Sequence, residues 1–315
     1  MDVDKRAIRK SLRTDFSPSL KLRAIRAAAA ARRALNYPAL LMGGHLEEPI
    51  FIIGAPRSGT SLLYAILRAS SRTAHWPGEA HEVWEHDYHP ALRGWESNAL
   101  DESDIEEGAA GRIRRSFFLV TGNGRRLIDK TPRNALRVPF VNALFKDPRF
   151  VFLQRDGRDN VNSLITAWRT PRYRTYRLPE PHSIPGVDPD WWKFVLYPGW
   201  REDVTGPLEV VCAKQWTYSS ELALDGLEEL PYEGRITIRY EDLVDRPVEE
   251  VGRVMEFLGL PFEDSVRATA RETHTNPINI VTPPERGKWR RENPGEIASI
   301  LDLITPTMER LGYMP

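Results

Sequence analysis

Apolar residues along the chain fall into short continuous runs, each ending in a polar turn and then giving way to a helical repeat. The first such unit spans 49–63, PIFIIGAPRSGTSLL. Phe51, Ile52 and Ile53 carry the β-branched and aromatic content of a buried strand, and Leu62, Leu63, Ile66 and Leu67 recur at helical spacing. The succession returns at 125–145, where RRLIDKTPR precedes a helix over 134–145. It returns again at 149–168, where RFVFLQ leads through a polar turn into a helix with apolar positions at Val161, Leu164, Ile165 and Trp168. A helix over 209–230, a strand over 235–243, an amphipathic helix over 247–258 and a closing helix over 296–311 continue the alternation. Strand and helix in turn predict the α/β class, as a doubly wound, mainly parallel sheet with helices on both faces.

Two stretches break this rhythm. Residues 1–45 are rich in Ala, Lys and Arg and read as an N-terminal helical arm, including KRAIRKSL at 5–12. The arm is expected to pack on the 46–315 domain or on a second copy of the chain, and its basic excess leaves peripheral contact with an anionic membrane surface open. Residues 169–207 carry proline, arginine and aromatics without a period, and read as a lid or substrate-binding insertion. Trp191, Trp192, Tyr197 and Trp200 there either cover the acceptor by stacking or anchor the loop to the core.

Composition narrows the class of function. A length of 315 residues suits one large domain. Lys plus Arg equals Asp plus Glu at 44 each, so no global basic field points to nucleic acid and any anion site must be local. The single Cys212 excludes an intrachain disulfide and a cysteine zinc cluster, and it reads as a small buried hydrophobe. Nothing looks like the apolar core of a signal peptide or a membrane span, so the cytoplasm is the expected compartment. His75, His81, His86 and His89 follow no compact zinc spacing, and no metal is expected.

The turn in 49–63 carries the chemistry. Gly54 and Gly59 allow a tight loop whose N–H groups and following helix converge on an anion, with the G-x-x-x-x-G spacing of a nucleotide P-loop. The two residues after Gly59 are Thr60 and Ser61, where a triphosphate loop needs Lys first. The cation stands earlier, at Arg57. In Pro56-Arg57-Ser58-Gly59-Thr60-Ser61-Leu62 the chain resembles the PAPS-dependent sulfotransferases of the bacterial and Golgi-like type. Their P-loop-like fold binds the 5′-phosphosulfate of 3′-phosphoadenosine 5′-phosphosulfate at this loop.

A second motif agrees with the first. Arg155 ends an apolar strand and Ser163 follows eight residues later on the next helix, the arrangement with which the family holds the 3′-phosphate. Arg158, inside the turn, is expected to face solvent or pair with Asp159. The resemblance implies transfer of a sulfuryl group to an acceptor hydroxyl, with PAP as product and no metal. It also implies a catalytic glutamate shortly after the first helix, where Glu79 of Pro77-Gly78-Glu79 matches best, with His81 and Glu82 as rivals. Lys130 is expected to join Arg57 at the bridging oxygen of the phosphosulfate. Tyr240-Glu241-Asp242-Leu243 matches a strand end that supports the cofactor pocket. Arg286, Gly287, Lys288, Trp289 and Arg290 resemble the basic loop that closes over the 3′-phosphate, although the fuller glycine pattern of the cytosolic enzymes is absent. The acceptor is left among small-molecule, carbohydrate, lipid-linked and secondary-metabolite hydroxyls. A P-loop nucleotide phosphotransferase and a non-catalytic nucleotide-binding module are the alternatives, tested by ATP with magnesium and by PAP binding without turnover.

Overall fold

A computed structural model describes residues 20–275 and 285–314. The expected helix over 5–12 lies outside them. A five-stranded sheet runs in the order β2-β3-β1-β4-β7, formed by β1 (Ile50–Ile53), β2 (Thr73–His75), β3 (Arg126–Asp129), β4 (Arg149–Gln154) and β7 (Arg235–Arg239). Every pairing in it is parallel. After β1 the chain goes to the β2 edge and returns through β3, then crosses to β4. The winding therefore reverses beside β1, and the carboxyl ends of β1 and β4 flank the crevice where ligands gather in open α/β sheets.

The alternation of side chains explains why helices cover both faces. Phe51, Ile53, Phe150, Phe152 and Leu127 enter one apolar cluster, whereas Ile50, Ile52, Val151, Leu153 and Ile128 enter the other. The first cluster lies under α4 (Glu107–Thr121), α5 (Val138–Leu144), α6 (Gly157–Arg169) and α7 (Leu208–Glu228). The second lies under α2 (Thr60–Leu67), α9 (Pro247–Phe257) and α10 (Asp264–Thr275). Cys212 is fully buried in the first cluster, and burial raises its thiol pKa. The arm appears as α1 (Leu20–Leu41), tied to α4 where Asn36 Nδ2 donates to the Leu119 carbonyl at 2.9 Å.

Several expectations need correction. A short strand, β2, lies inside the polar stretch after the first helix, because Thr73 and Ala74 pair with β3 through Arg126 and Leu127. Tyr240-Glu241-Asp242-Leu243 is not a strand end but opens a short helix, α8 (Tyr240–Asp245). The closing helix is interrupted, as α12 (Pro294–Ser299) and α13 (Leu301–Arg310). Arg158 pairs with neither solvent alone nor Asp159: its Nη2 donates to Asp156 Oδ2 at 2.8 Å.

The insertion is folded. β5 (Arg174–Arg177) and β6 (Trp191–Lys193) form an antiparallel ribbon with a bulge between Arg174 and Tyr176. Trp192, Tyr197 and Trp200 are buried, with the Trp192 ring 5.3 Å from Trp168 and 5.0 Å from Trp200. These three rings anchor the ribbon and are not available to stack on an acceptor. Gln215 of α7 fixes it further, donating to the Lys193 and Val195 carbonyls at 2.7 and 2.8 Å while accepting from Trp168 Nε1 at 2.9 Å.

Candidate active site

Each strand of the sheet delivers one part of the site at its carboxyl end. After β1 comes the loop 54–59, in which Gly54, Arg57 and Gly59 all have positive φ, at 156°, 71° and 99°. A Cβ on Gly59 would collide with the ring of Tyr240, so only glycine fits under that ring. The N–H groups of Gly59, Thr60 and Ser61 precede the first bond of α2, made by Leu62 N–H to the Gly59 carbonyl at 2.9 Å, and so face outward from the helix start. Asn160 of α6 braces the loop, its amide donating to the Pro56 carbonyl at 3.0 Å and accepting from Ser58 N–H at 3.2 Å.

After β4 comes Arg155. Its Nη1 donates to the Arg57 carbonyl at 2.9 Å and its guanidinium lies 4.4 Å over the Tyr240 ring. Arg57 in turn reaches Ser163 Oγ with Nε at 3.4 Å and Tyr173 hydroxyl with Nη1 at 3.2 Å. Burial pulls the pKa of Arg57 below its ordinary value; the neighbouring Tyr173 opposes this and Arg155 adds to it. Two guanidiniums and a helix start, gathered with few acceptors between them, suit an anion of more than one charge. The structure thus brings together the loop, Arg155 and Ser163.

After β3 the turn 129–137 presents Lys130 and Arg133. Asp129 shapes this turn by accepting from Thr131 Oγ1 at 3.2 Å and Asn134 Nδ2 at 2.9 Å, and burial pushes its carboxyl up to about 6. Lys130, buried, donates to Glu79 Oε1, so the lysine expected beside Arg57 is tied instead to the glutamate. Glu79 follows β2 and also accepts from His81 Nε2 at 2.6 Å. Burial alone would raise its pKa, but the His81 hydrogen bond and the Lys130 charge outweigh it and hold Glu79 well below the usual carboxylate range. Glu82 points elsewhere, accepting from Trp76 Nε1 at 3.0 Å.

The C-terminal loop 286–290 reaches α6. Gly287 N–H donates to Asp159 Oδ2 at 2.7 Å, one turn before Ser163. Lys288 is buried and pairs with Glu292 at 3.2 Å, whereas Arg286 pairs with Asp245 and Arg290 lies 4.7 Å over the Trp289 ring, both exposed. Of the three basic residues, Lys288 is the one whose side chain is buried, while Trp289 is half-buried against the core.

Some residues at the site carry no clear sequence signal. Tyr173 and Phe194 of the insertion pack ring to ring at 5.5 Å, both with left-handed backbone, φ 62° and 61°. With Arg57, which Tyr173 touches, they make three strained non-glycine residues linked through Tyr173, a pattern that collects at functional sites. Arg133 and Tyr176 likewise carry no motif of their own. Tyr240 lay in a recognisable string, and that string marked the place without the role.

A parallel sheet with an anion loop at its switch point, two flanking arginines and a lysine-bound glutamate defines a group-transfer enzyme acting on an anionic nucleotide. The model of the sulfotransferase family matches residues 49–183 and 192–264, and the chain belongs to that family. It is a PAPS-dependent sulfotransferase. Among curated relatives, it is 24% identical over 289 residues to protein-tyrosine sulfotransferase A of Caenorhabditis elegans, covering 84% of this chain and 67% of that one. It is 24% identical over 293 residues to protein-tyrosine sulfotransferase 2 of Gallus gallus, covering 84% and 69%. Among solved structures, sulfotransferase STF9 of Mycobacterium avium superposes with a TM-score of 0.54 at 13% identity, covering 96% of this chain and 88% of that one.

The residues fit the cofactor. Ser58 Oγ and Arg155 Nε are buried polar atoms with no hydrogen-bond partner among the described residues, and both border the loop and the Arg57–Ser163 contact where phosphate groups would be held. The cytoplasmic expectation does not stand against these matches, which are to protein-tyrosine sulfotransferases. That no described helix is long and apolar enough to cross a membrane does not assign a compartment.

Proposed function

We propose that the chain transfers the sulfuryl group to a phenolic hydroxyl, with Glu79 as the general base. PAPS, when bound, supplies a sulfuryl group already activated by its bond to the 5′-phosphate. The loop N–H groups and Arg57 hold that phosphate and stabilise the charge it gains, while Arg155, Ser163 and the inward-turned Lys288 hold the 3′-phosphate. Glu79 receives the acceptor proton. The carrying observation is the placement of Glu79 between Lys130 and His81, on the same sheet edge as the anion loop.

The acceptor class follows from the electrostatics of that base. A carboxylate held at low pKa is a weak base, and it is best matched to an acceptor whose own proton is relatively acidic. A phenol, with pKa about 10, meets this requirement far better than a sugar or lipid hydroxyl. The aromatic pair Tyr173–Phe194 beside Arg57 offers a phenol ring a flat apolar surface, and the curated relatives are named for transfer to tyrosine. A screen with labelled PAPS against a tyrosyl peptide, simple phenols, sugars and lipid-linked hydroxyls tests the proposal. Transfer to sugars in preference to every phenol would overturn the acceptor class.

A further inference from the structure

Glu79 is the half-buried end of a polar chain that runs into the insertion. Beyond Glu79, His81 turns its second ring nitrogen, Nδ1, to Arg133 Nη1. The same guanidinium nitrogen lies 2.5 Å from Glu85 Oε1, and Glu85 accepts from the Tyr176 hydroxyl at 2.5 Å. Tyr176, on β5, also lies with its ring 4.7 Å under the Arg133 guanidinium and accepts from Asn98 Nδ2 at 2.8 Å. Asn98 closes the chain on the insertion: its backbone N–H donates to the Leu196 carbonyl, and its Oδ1 accepts from Leu196 N–H, both at 2.7 Å.

A guanidinium has donors only, so the nitrogen of His81 that faces it must be the unprotonated one. We propose that Arg133, held in place by Glu85 and by Tyr176 of the insertion, is a positioning residue that fixes His81 as its neutral Nε2–H tautomer. His81 then orients Glu79 by one donated hydrogen bond and adds no second positive charge beside the Lys130 ammonium. This role rests on the reading of Glu79 as the base.

The charges around His81 oppose one another. Glu79 before it and Glu85 one turn on favour an imidazolium; Arg133, from the turn after β3, disfavours it. Lys130 and Tyr176 face it only through Glu79 and Glu85. Burial first, and Arg133 next, lower the pKa of His81, in agreement with the geometry. An imidazolium in this position would compete with the incoming proton for the charge of Glu79.

Two-bond proton–nitrogen NMR on the full chain labelled with ¹⁵N-histidine reads the tautomer directly. The signal of His81 is identified by its loss in His81→Gln. The wild type is expected to show neutral Nε2–H at pH 7 and still at pH 6. Arg133→Met removes both donor and cation, so His81 is expected to be an imidazolium at pH 6, and Arg133→Lys is expected to restore the neutral form. Tyr176→Phe keeps the ring and is expected to give a mixture of tautomers. PAP affinity by calorimetry reports the fold of each variant. Should Arg133→Met not fold, the wild type and Tyr176→Phe decide. The proposal is overturned if wild-type His81 is Nδ1–H or charged at pH 7, or if folded Arg133→Met and Tyr176→Phe leave its spectrum unmoved. The NMR needs no acceptor, so its outcome is separate from that of Glu79→Gln turnover, which tests the base itself.

Discussion

At the scale of single residues, the behaviour of Glu79 follows from three neighbours pulling in different directions. Burial favours its neutral form, and His81 and Lys130 favour the carboxylate by more. Glu79→Gln keeps the shape and removes the proton acceptor, so turnover is expected to fall by roughly 10²–10⁴ while PAP affinity survives. The sign of the pH dependence is fixed by the same balance. A depressed pKa keeps the group ionised down to pH values below the ordinary 4.5 of a glutamate, so the acid limb of kcat assigned to Glu79 lies below that value. Lys130→Ala removes one of the groups that lower the pKa and is expected to move that limb upward; a kcat profile whose acid limb stays in place would detach Lys130 from the base. Arg155 belongs to the other half of the site. In the proposed function its charge would face the 3′-phosphate rather than a proton, so Arg155→Ala is expected to weaken PAP by roughly 1.5–3 kcal/mol in calorimetry.

At the scale of elements, what the sequence made legible was whatever lies within one strand–turn–helix unit. The β1 loop and the β4–α6 pair of Arg155 and Ser163 are each local, with spacing set by a single turn, and both stand where expected. Glu79 likewise lies in the polar segment after the first helix. Its tie to Lys130 depends on β2 lying beside β3, and no spacing along the chain encodes that neighbour. Tyr240 shows the same limit from another side. Its string was visible, but its contact with Gly59 exists only because β7 returns beside β4, one strand away from the loop. The contact carries a prediction. At Gly59, φ is 99° and a Cβ would meet the Tyr240 ring, so Gly59→Ala strains the backbone and displaces that ring together. A loss of roughly 1–3 kcal/mol in stability is expected, with a weaker PAP complex; an unchanged melting temperature and PAP affinity would show that the loop does not need its present shape.

At the scale of the whole molecule, the insertion at 169–207 has an inner and an outer side, and composition could not separate them because both are aromatic. Trp192 belongs to the inner side: it is fully buried among Trp168, His182, Tyr197 and Trp200, and its Nε1 donates to the Val195 carbonyl at 2.9 Å. Phe194, two residues on, is half-buried and packs on Tyr173, which bonds to Arg57. The two rings should therefore fail in different ways. Trp192→Ala opens a large cavity in a close-packed cluster and is expected to cost roughly 3–5 kcal/mol of stability, read as a lower denaturant midpoint. Phe194→Ala removes little core volume and is expected to leave that midpoint almost unchanged while raising KM for a phenolic acceptor several-fold, with PAP affinity retained. If Phe194→Ala instead lowers stability as much as Trp192→Ala and leaves KM alone, its ring is part of the anchor, and the surface offered to the acceptor lies elsewhere on the sheet edge.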